Sequence, residues 1–194
     1  TGPASSQCWL IKVKAVTHRK DPIMQTCIGP SEEHVSMAGI PTEASIYGMV
    51  EKAMPGRLLN VYCASPGGGK YMAVLQFKKS SPSDEGRQRQ AALLAFSAFS
   101  ELKHVFLVDE DVDCFDMKDV LWAMNTRMQG DADIITIPGV RCHPLDPSND
   151  PSCSPSIRDH GIACKTIFDC TVPYDQKERF KRARFMEVDP EKWL

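Results

Sequence analysis

Four acidic side chains crowd one turn of the chain: Asp109, Glu110, Asp111 and Asp113. Several carboxylate oxygens in one place are what a hard divalent cation takes as ligands. The same residues suit turn formation and helix capping, and that structural duty is the favoured reading. A second candidate is the run Pro138-Gly139-Val140-Arg141-Cys142-His143-Pro144-Leu145. Here Arg141 could hold a carboxylate through paired N–H groups, and His143 could bond a polar ring substituent. An ordered, proline-rich surface loop accounts for the run equally well. Glu33 beside His34 suggests an acid–base pair, but neighbours on a helix point apart, so a structural histidine is preferred. Cys142 and His143 are adjacent and make no nucleophilic dyad. Lys165 and Asp169, four apart, either pair with each other or touch a ligand. Ser65-Pro66-Gly67-Gly68-Gly69-Lys70 could cradle a phosphate, yet its spacing is not that of a P-loop, and a flexible turn is the better reading.

The elements that must position these groups are legible around the stretch from His104 to Arg127. Val105-Phe106-Leu107-Val108 has the length and composition of a strand buried on both faces. After the acidic turn, Asp116 stands where a helix N-cap belongs, with Asp119 three residues on and Val120, Leu121 and Met124 as the apolar face. Upstream, Trp9 to Thr17 alternates (Ile11, Val13 and Ala15 against Lys12 and Lys14) and predicts a half-exposed strand. Ser31 caps a short helix with Glu32 and Glu33 in its first turn. Pro41-Thr42-Glu43-Ala44 starts a second helix that ends at Pro55-Gly56. Leu58–Ala64 and Tyr71–Lys78 read as strands. Ser81-Pro82-Ser83-Asp84 opens a helix expected to run to about Glu101. Strand, helix, strand then repeats toward Ile134-Ile135-Thr136-Ile137, which predicts two βαβ units with parallel strands. The remainder, 138–194, reads as a loop-rich tail with one apolar segment, Ile162 to Val172, and a short charged helix near Tyr174 to Ala183. The fold class is therefore α/β: a mixed, largely parallel sheet flanked by helices, in a single domain spanning 1–194.

The chain has 194 residues, 42% hydrophobic and 25% charged, so it can build a substantial core. A net charge of −2 argues against a nucleic-acid surface or a polybasic membrane patch. No apolar run reaches the ~18 residues of a membrane span. The eight cysteines are scattered without CxxC or zinc-finger spacing, which predicts reduced thiols and a cytoplasmic protein. Residues 1–8, opening on Thr1 rather than Met, read as a cut edge without structure of their own.

VDEDVDCFDMKDVLWAMNTRM resembles the V-D-D-D-[IV]-[DN]-x-x-D-x-x-D-V-[IL]-W-A-[ILM]-x-T-R signature of the UbiD-type decarboxylases. The resemblance extends through IKVKAVTHRKDPIMQTCIGPSEEH, PSDEGRQRQAALLAFSAFSELKHVFLVDEDVD and TRMQGDADIITIPGVRCHPLDPS to ACKTIFDCTVP. PTEASI, PSDEGRQ and KTIFDCTVP are most similar to the protocatechuate and gallate (hydroxybenzoate) branch. The resemblance implies non-oxidative, reversible decarboxylation of an aromatic acid with prenylated FMN, a divalent metal (Mn or Mg) and K in the full-length enzyme. It places the flavin-binding domain and the catalytic Arg and Glu residues upstream of this chain. No catalytic residue and no bound cofactor are then expected here, and the isolated domain should be inactive.

Residue by residue, the resemblance puts Glu33 and Met37 on the loop-helix bordering the substrate pocket. His143, Pro144 and Leu145 fall on the segment that packs against the aromatic substrate. Arg127 and Asp169 match positions that approach a monovalent ion near the flavin phosphate, while the acidic corner keeps its structural duty. The partners implied are the chain's own N-terminal flavin domain, further copies of itself and an aromatic acid, with no nucleic acid and no membrane. The alternative is a non-catalytic assembly subunit of the same α/β architecture.

Overall fold

The structure, a computed structural model, describes residues 9–29, 31–143, 146, 148, 162–183, 186 and 188–192. Five strands form one sheet: β1 (Leu58–Tyr62), β2 (Met72–Phe77), β3 (His104–Val108), β4 (Ile134–Arg141) and β5 (Ile162–Cys170). Three helices pack on it: α1 (Glu32–Ala53), α2 (Arg87–Ala98) and α3 (Met117–Arg127). The strand order is β1-β2-β3-β5-β4, with β2, β3 and β5 parallel and the edge strands β1 and β4 antiparallel to their neighbours.

The apolar runs of β2 and β3 are continuous because both faces of the sheet are covered. Ala73, Leu75 and Phe77 of β2 and Val105 and Leu107 of β3 meet Ile46 and Val50 of α1 and Ala91, Ala92 and Ala95 of α2. The alternate residues Val74, Phe106 and Val108 turn to the other face and meet Val120 and Ala123 of α3. There the rings of Phe106 and Phe168 stack 4.6 Å apart.

The first βαβ unit, β2–α2–β3, forms as expected. The second does not. The apolar segment assigned to a loop-rich tail is β5, which inserts between β3 and β4, so that β4 runs against β3 instead of beside it. The two helices expected on either side of Pro41 are one 22-residue helix. Pro41 sits on its exposed side, and the buried stripe Val35, Gly39, Thr42, Ile46 and Val50 runs through unbroken. Ser31 caps it as expected, accepting from the His34 N–H at 3.3 Å. The helix expected from Ser81 is interrupted. Asp84 accepts from the N–H groups of Ser80 and Ser81 and closes a short 3-10 turn, and Gly86, at φ +85°, redirects the chain into α2 at Arg87. Asp116 caps α3 through the Lys118 N–H, while Asp119 reaches back to the Asp113 N–H rather than to the cap. The charged helix near Tyr174 is a 3-10 segment, Tyr174–Phe180.

Residues 9–29 carry no helix or strand and are exposed throughout, with Trp9 96% and Ile11 85% accessible. The predicted strand at Trp9–Thr17 is therefore not formed. Alternation decides which face of a strand would be buried, but it supplies no edge to pair with, and neither β1 nor β4 pairs with this arm.

Candidate functional site

Parallel strands suggest a ligand site at their carboxyl ends, and the sequence offered two such ends. Because β4 is antiparallel to β5, the end of β4 lies on the opposite edge of the sheet from the end of β3. The acidic corner and the His143 segment therefore belong to two separate places.

At the edge where β2 and β3 begin, charged groups converge on His143. Its Nε2 lies 3.0 Å from Glu101 Oε2 and 3.4 Å from Lys70 Nζ. The Tyr71 ring meets the imidazole edge-on, with centroids 5.5 Å apart and planes at 88°. The His143 side chain is 7% exposed. Beyond it the buried Asp146 pairs with Lys103 at 2.7 Å and accepts from the Ser148 backbone N–H at 3.0 Å. Burial pushes the Asp146 carboxyl up, but Lys103 and Ser148 outweigh it and hold the group below its ordinary value. Burial, reinforced by the Asp146 and Glu101 carboxylates, pushes the Tyr71 phenol up, so it stays neutral.

The glycine run delivers Lys70 to this edge. Gly68 and Gly69 take φ +62° and +68°. A Cβ on Gly67 would lie 2.7 Å from the Met72 Cβ, and one on Gly69 would lie 2.6 Å from the Val35 carbonyl oxygen. The loop expected to be a flexible turn is thus folded tightly against the start of α1, and Ser65 Oγ donates to Glu32 there at 2.8 Å. Those same first turns of α1 carry Glu33 and Met37, both exposed, with Met37 60% accessible. The loop joins the two halves of this edge: α1 packs on Gly69 and His143 lies against Lys70. Pro144 and Leu145 lie outside the described residues.

The opposite edge is a network of ion pairs. Arg127, its side chain 2% exposed, holds Asp111 through both terminal nitrogens at 2.8 and 2.5 Å and Asp109 at 3.2 Å. Arg182 joins Asp119 at 2.8 Å and stacks on Trp122, its guanidinium 3.9 Å from the ring centroid. The fully buried Lys79 bonds Glu85 at 3.0 Å and Thr171 at 3.1 Å. The acidic corner is thus bound by arginine, in keeping with its structural duty.

Arg127 and Asp169 line one cavity of about 250 Å3, together with Arg89, Gln129 and Asp133. The set does not fit a cation. Asp169 is already held by Arg89 at 2.6 Å, by Gln88 at 3.2 Å and by the Thr171 hydroxyl at 2.6 Å. Arg127 presents a positive guanidinium, which has no lone pair to give a metal. Among the described residues no cluster of three His, Cys, Asp or Glu side chains is placed to hold a metal ion.

Sequence reasoning did not connect Lys70, Glu101 or Tyr71 with His143. A lysine directly after a glycine run and before a strand was a usable signal for the first. Nothing local marks Glu101, because the turn between α2 and β3 is what brings it to His143.

Residues 35–170 match the model of the 3-octaprenyl-4-hydroxybenzoate carboxy-lyase C-terminal domain. The gallate decarboxylase of Lactiplantibacillus plantarum is 60% identical over 195 residues, covering 100% of this chain and 40% of its own length. The apo 3,4-dihydroxybenzoic acid decarboxylase of Enterobacter cloacae superposes with a TM-score of 0.82 at 63% identity, over 89% of this chain and 35% of that one. The UbiD-class enzyme HmfF of Pelotomaculum thermopropionicum, solved with FMN, gives 0.78 at 31% identity, over 91% and 38%. The chain thus spans well under half the length of these relatives. With the family model spanning β1 through β5 and these relatives sharing its fold, the chain belongs to the UbiD carboxy-lyase C-terminal domain family.

Proposed function

We propose that this chain completes the substrate pocket of a non-oxidative, reversible phenolic acid decarboxylase. Its substrate is a hydroxybenzoate such as protocatechuate or gallate. The observation that carries the reading is the pair Lys70 and Glu101 meeting the buried His143 beside the exposed first turns of α1. The reaction exchanges a ring carboxylate for a proton and releases carbon dioxide. Prenylated FMN, held by the preceding part of a longer chain, supplies the electron sink. In this chain, Lys70 and His143 bind and orient a ring hydroxyl, whose oxygen takes up negative charge as carbon dioxide leaves and the C–C bonding pair returns to the ring. Glu33 and Met37 border the ring from α1, and Pro144 and Leu145 pack against it. The proton donor lies outside this chain, so the domain alone is inactive.

The arm from Trp9 to Ile28 supports the partner in this reading. Trp9, Leu10, Ile11, Val13, Val16, Ile23, Met24 and Ile28 are all exposed, and the flavin domain together with further copies of the chain would cover them. Exposure of this kind also suits an assembly subunit without chemistry. The charged cluster around a 7%-exposed histidine favours catalysis, since a scaffold gains nothing from it. Free thiols at Cys27, Cys63, Cys114, Cys164 and Cys170 agree with a cytoplasmic location. Among the described residues no helix is long and apolar enough to cross a membrane.

The test is turnover of protocatechuate by the full-length holoenzyme carrying K70M or H143Q. Each should lose about a hundredfold in kcat/KM, in line with removal of a charge-assisted contact to the reacting system. Activity within twofold of the parent in both variants would sink the reading.

A further inference from the structure

We propose that Tyr71 is a positioning residue: its ring sets the plane of the His143 imidazole and so aims that histidine at the substrate's ring hydroxyl. The inference rests on the reading that this edge receives the phenolic end of the substrate. Two charged side chains meet His143 at a single atom, Nε2, with Glu101 Oε2 3.0 Å and Lys70 Nζ 3.4 Å away. Contacts at one atom fix where that atom lies and leave the ring plane free to turn about it. The Tyr71 ring lies against the imidazole as a whole, with centroids 5.5 Å apart and planes at 88°. That is the edge-to-face arrangement favoured by aromatic quadrupoles, and it depends on the angle between the planes.

Tyr71 is the fixed member of the pair. Its N–H donates to the Gly67 carbonyl at 2.9 Å, and its own carbonyl accepts from the Lys103 and His104 N–H groups at 2.9 and 2.7 Å. The glycine loop and the start of β3 thus hold its backbone from both sides. His143 arrives differently. The last ladder pair of β4 is Arg141 with Ile162, so the described sheet has released the chain before His143 is reached. A side chain 7% exposed on such a segment takes its orientation from what it packs against. Burial, reinforced by the Asp146 and Glu101 carboxylates, keeps the Tyr71 phenol neutral, so the residue adds no charge where Lys70 and Glu101 meet. What it adds is a rigid surface.

The experiment is steady-state kinetics of the full-length holoenzyme with protocatechuate, comparing Y71L, Y71M, Y71F, H143Q and Y71L/H143Q. Y71L and Y71M each replace the ring with an apolar side chain that has no plane to set. In both, kcat should fall about tenfold with KM within about threefold, the size of one aromatic pair contact. The loss falls on kcat because a contact to an oxygen that gains charge is strongest in the transition state. Y71F keeps the ring and should bring kcat back to within about threefold of the parent. Y71L should add nothing to H143Q, because Tyr71 acts through the imidazole. Tyr71 is partly exposed, so parent-like thermal midpoints are expected, and either ring-less variant carries the test. A Y71L effect that multiplies onto that of H143Q, or silent Y71L and Y71M beside an impaired H143Q, overturns the inference while leaving the pocket assignment standing. A loss in Y71F equal to that in Y71L also overturns it, since the hydroxyl would then be the working group. A silent H143Q overturns both.

Discussion

Replacing Asp109 with asparagine should remove a pH-dependent weakness from the centre of the fold. The residue directly follows β3, with its side chain 5% exposed. Its Oδ2 accepts from the Val172 N–H at 2.7 Å and from Arg127 at 3.2 Å. Its Oδ1 has no hydrogen-bond partner among the described residues. Arg127 is nearby but spends its fork on Asp111. Burial therefore outweighs the Val172 amide and the charges of Lys79, Arg127 and Lys177, and the carboxyl is pushed up from 3.8 to about 6. A rise of about two units at ~1.36 kcal/mol each corresponds to roughly 3 kcal/mol. The native state takes up the proton more readily than the unfolded chain, so this stabilisation is complete below about pH 4 and lost as pH rises through about 6. Asp84, Glu85, Asp111 and Asp146 are each held low, because their hydrogen bonds and ion pairs outweigh burial; they slope the other way, but equally in both proteins. In urea unfolding at pH 4, 5, 6 and 7, the stability of the parent minus that of D109N should fall by about 3 kcal/mol across the series. A difference that is flat or rises with pH would mean that Arg127 and Lys79 outweigh burial, and the reasoning would be wrong.

Gly69→Ala should cost more than about 1 kcal/mol, because the position combines φ +68° with a Cβ placed 2.6 Å from the Val35 oxygen; a shift in urea midpoint reads it, and a neutral result would mean that the loop can relax. Leu107→Ala, at a fully buried position facing α1 and α2, should cost about 2–5 kcal/mol by the same measurement. Burial pushes the thiols of Cys63 and Cys170 up to about 12 and that of Cys114 up to about 11. A thiol reagent at pH 8 should therefore modify exposed Cys27 promptly and these three only on unfolding, as peptide mapping by mass would show.

Much of the architecture was legible because it is local. Strong apolar runs became β2 and β3, and Ser31 and Asp116 cap the helices they precede. What escaped depends on the chain meeting itself. β5 reads as an apolar stretch in a proline-rich tail, and only its neighbours make it central. Pro41 reads as a helix start, yet on the exposed side of α1 its missing N–H costs too little to break a helix anchored by Ile46 and Val50. At the candidate site, the resemblance led to His143, and the residues alone suggested it could bond a ring substituent. Glu101 and Lys70 reach it across 42 and 73 positions of sequence, a distance that no spacing rule spans.

The placement of β5 bears on how such a chain is made. Every strand before it can pair as it emerges during synthesis except β4, whose sole neighbour among the described strands is β5. Until Cys170 has left the ribosome, the exposed edge of β3 and the whole of β4 are unpaired strands of the kind that seek partners on other molecules. Of the five described strands, the one made after the other four joins the two parts of the sheet, so a synthesis stall or truncation shortly before Ile162 yields an open, aggregation-prone edge rather than a smaller stable domain.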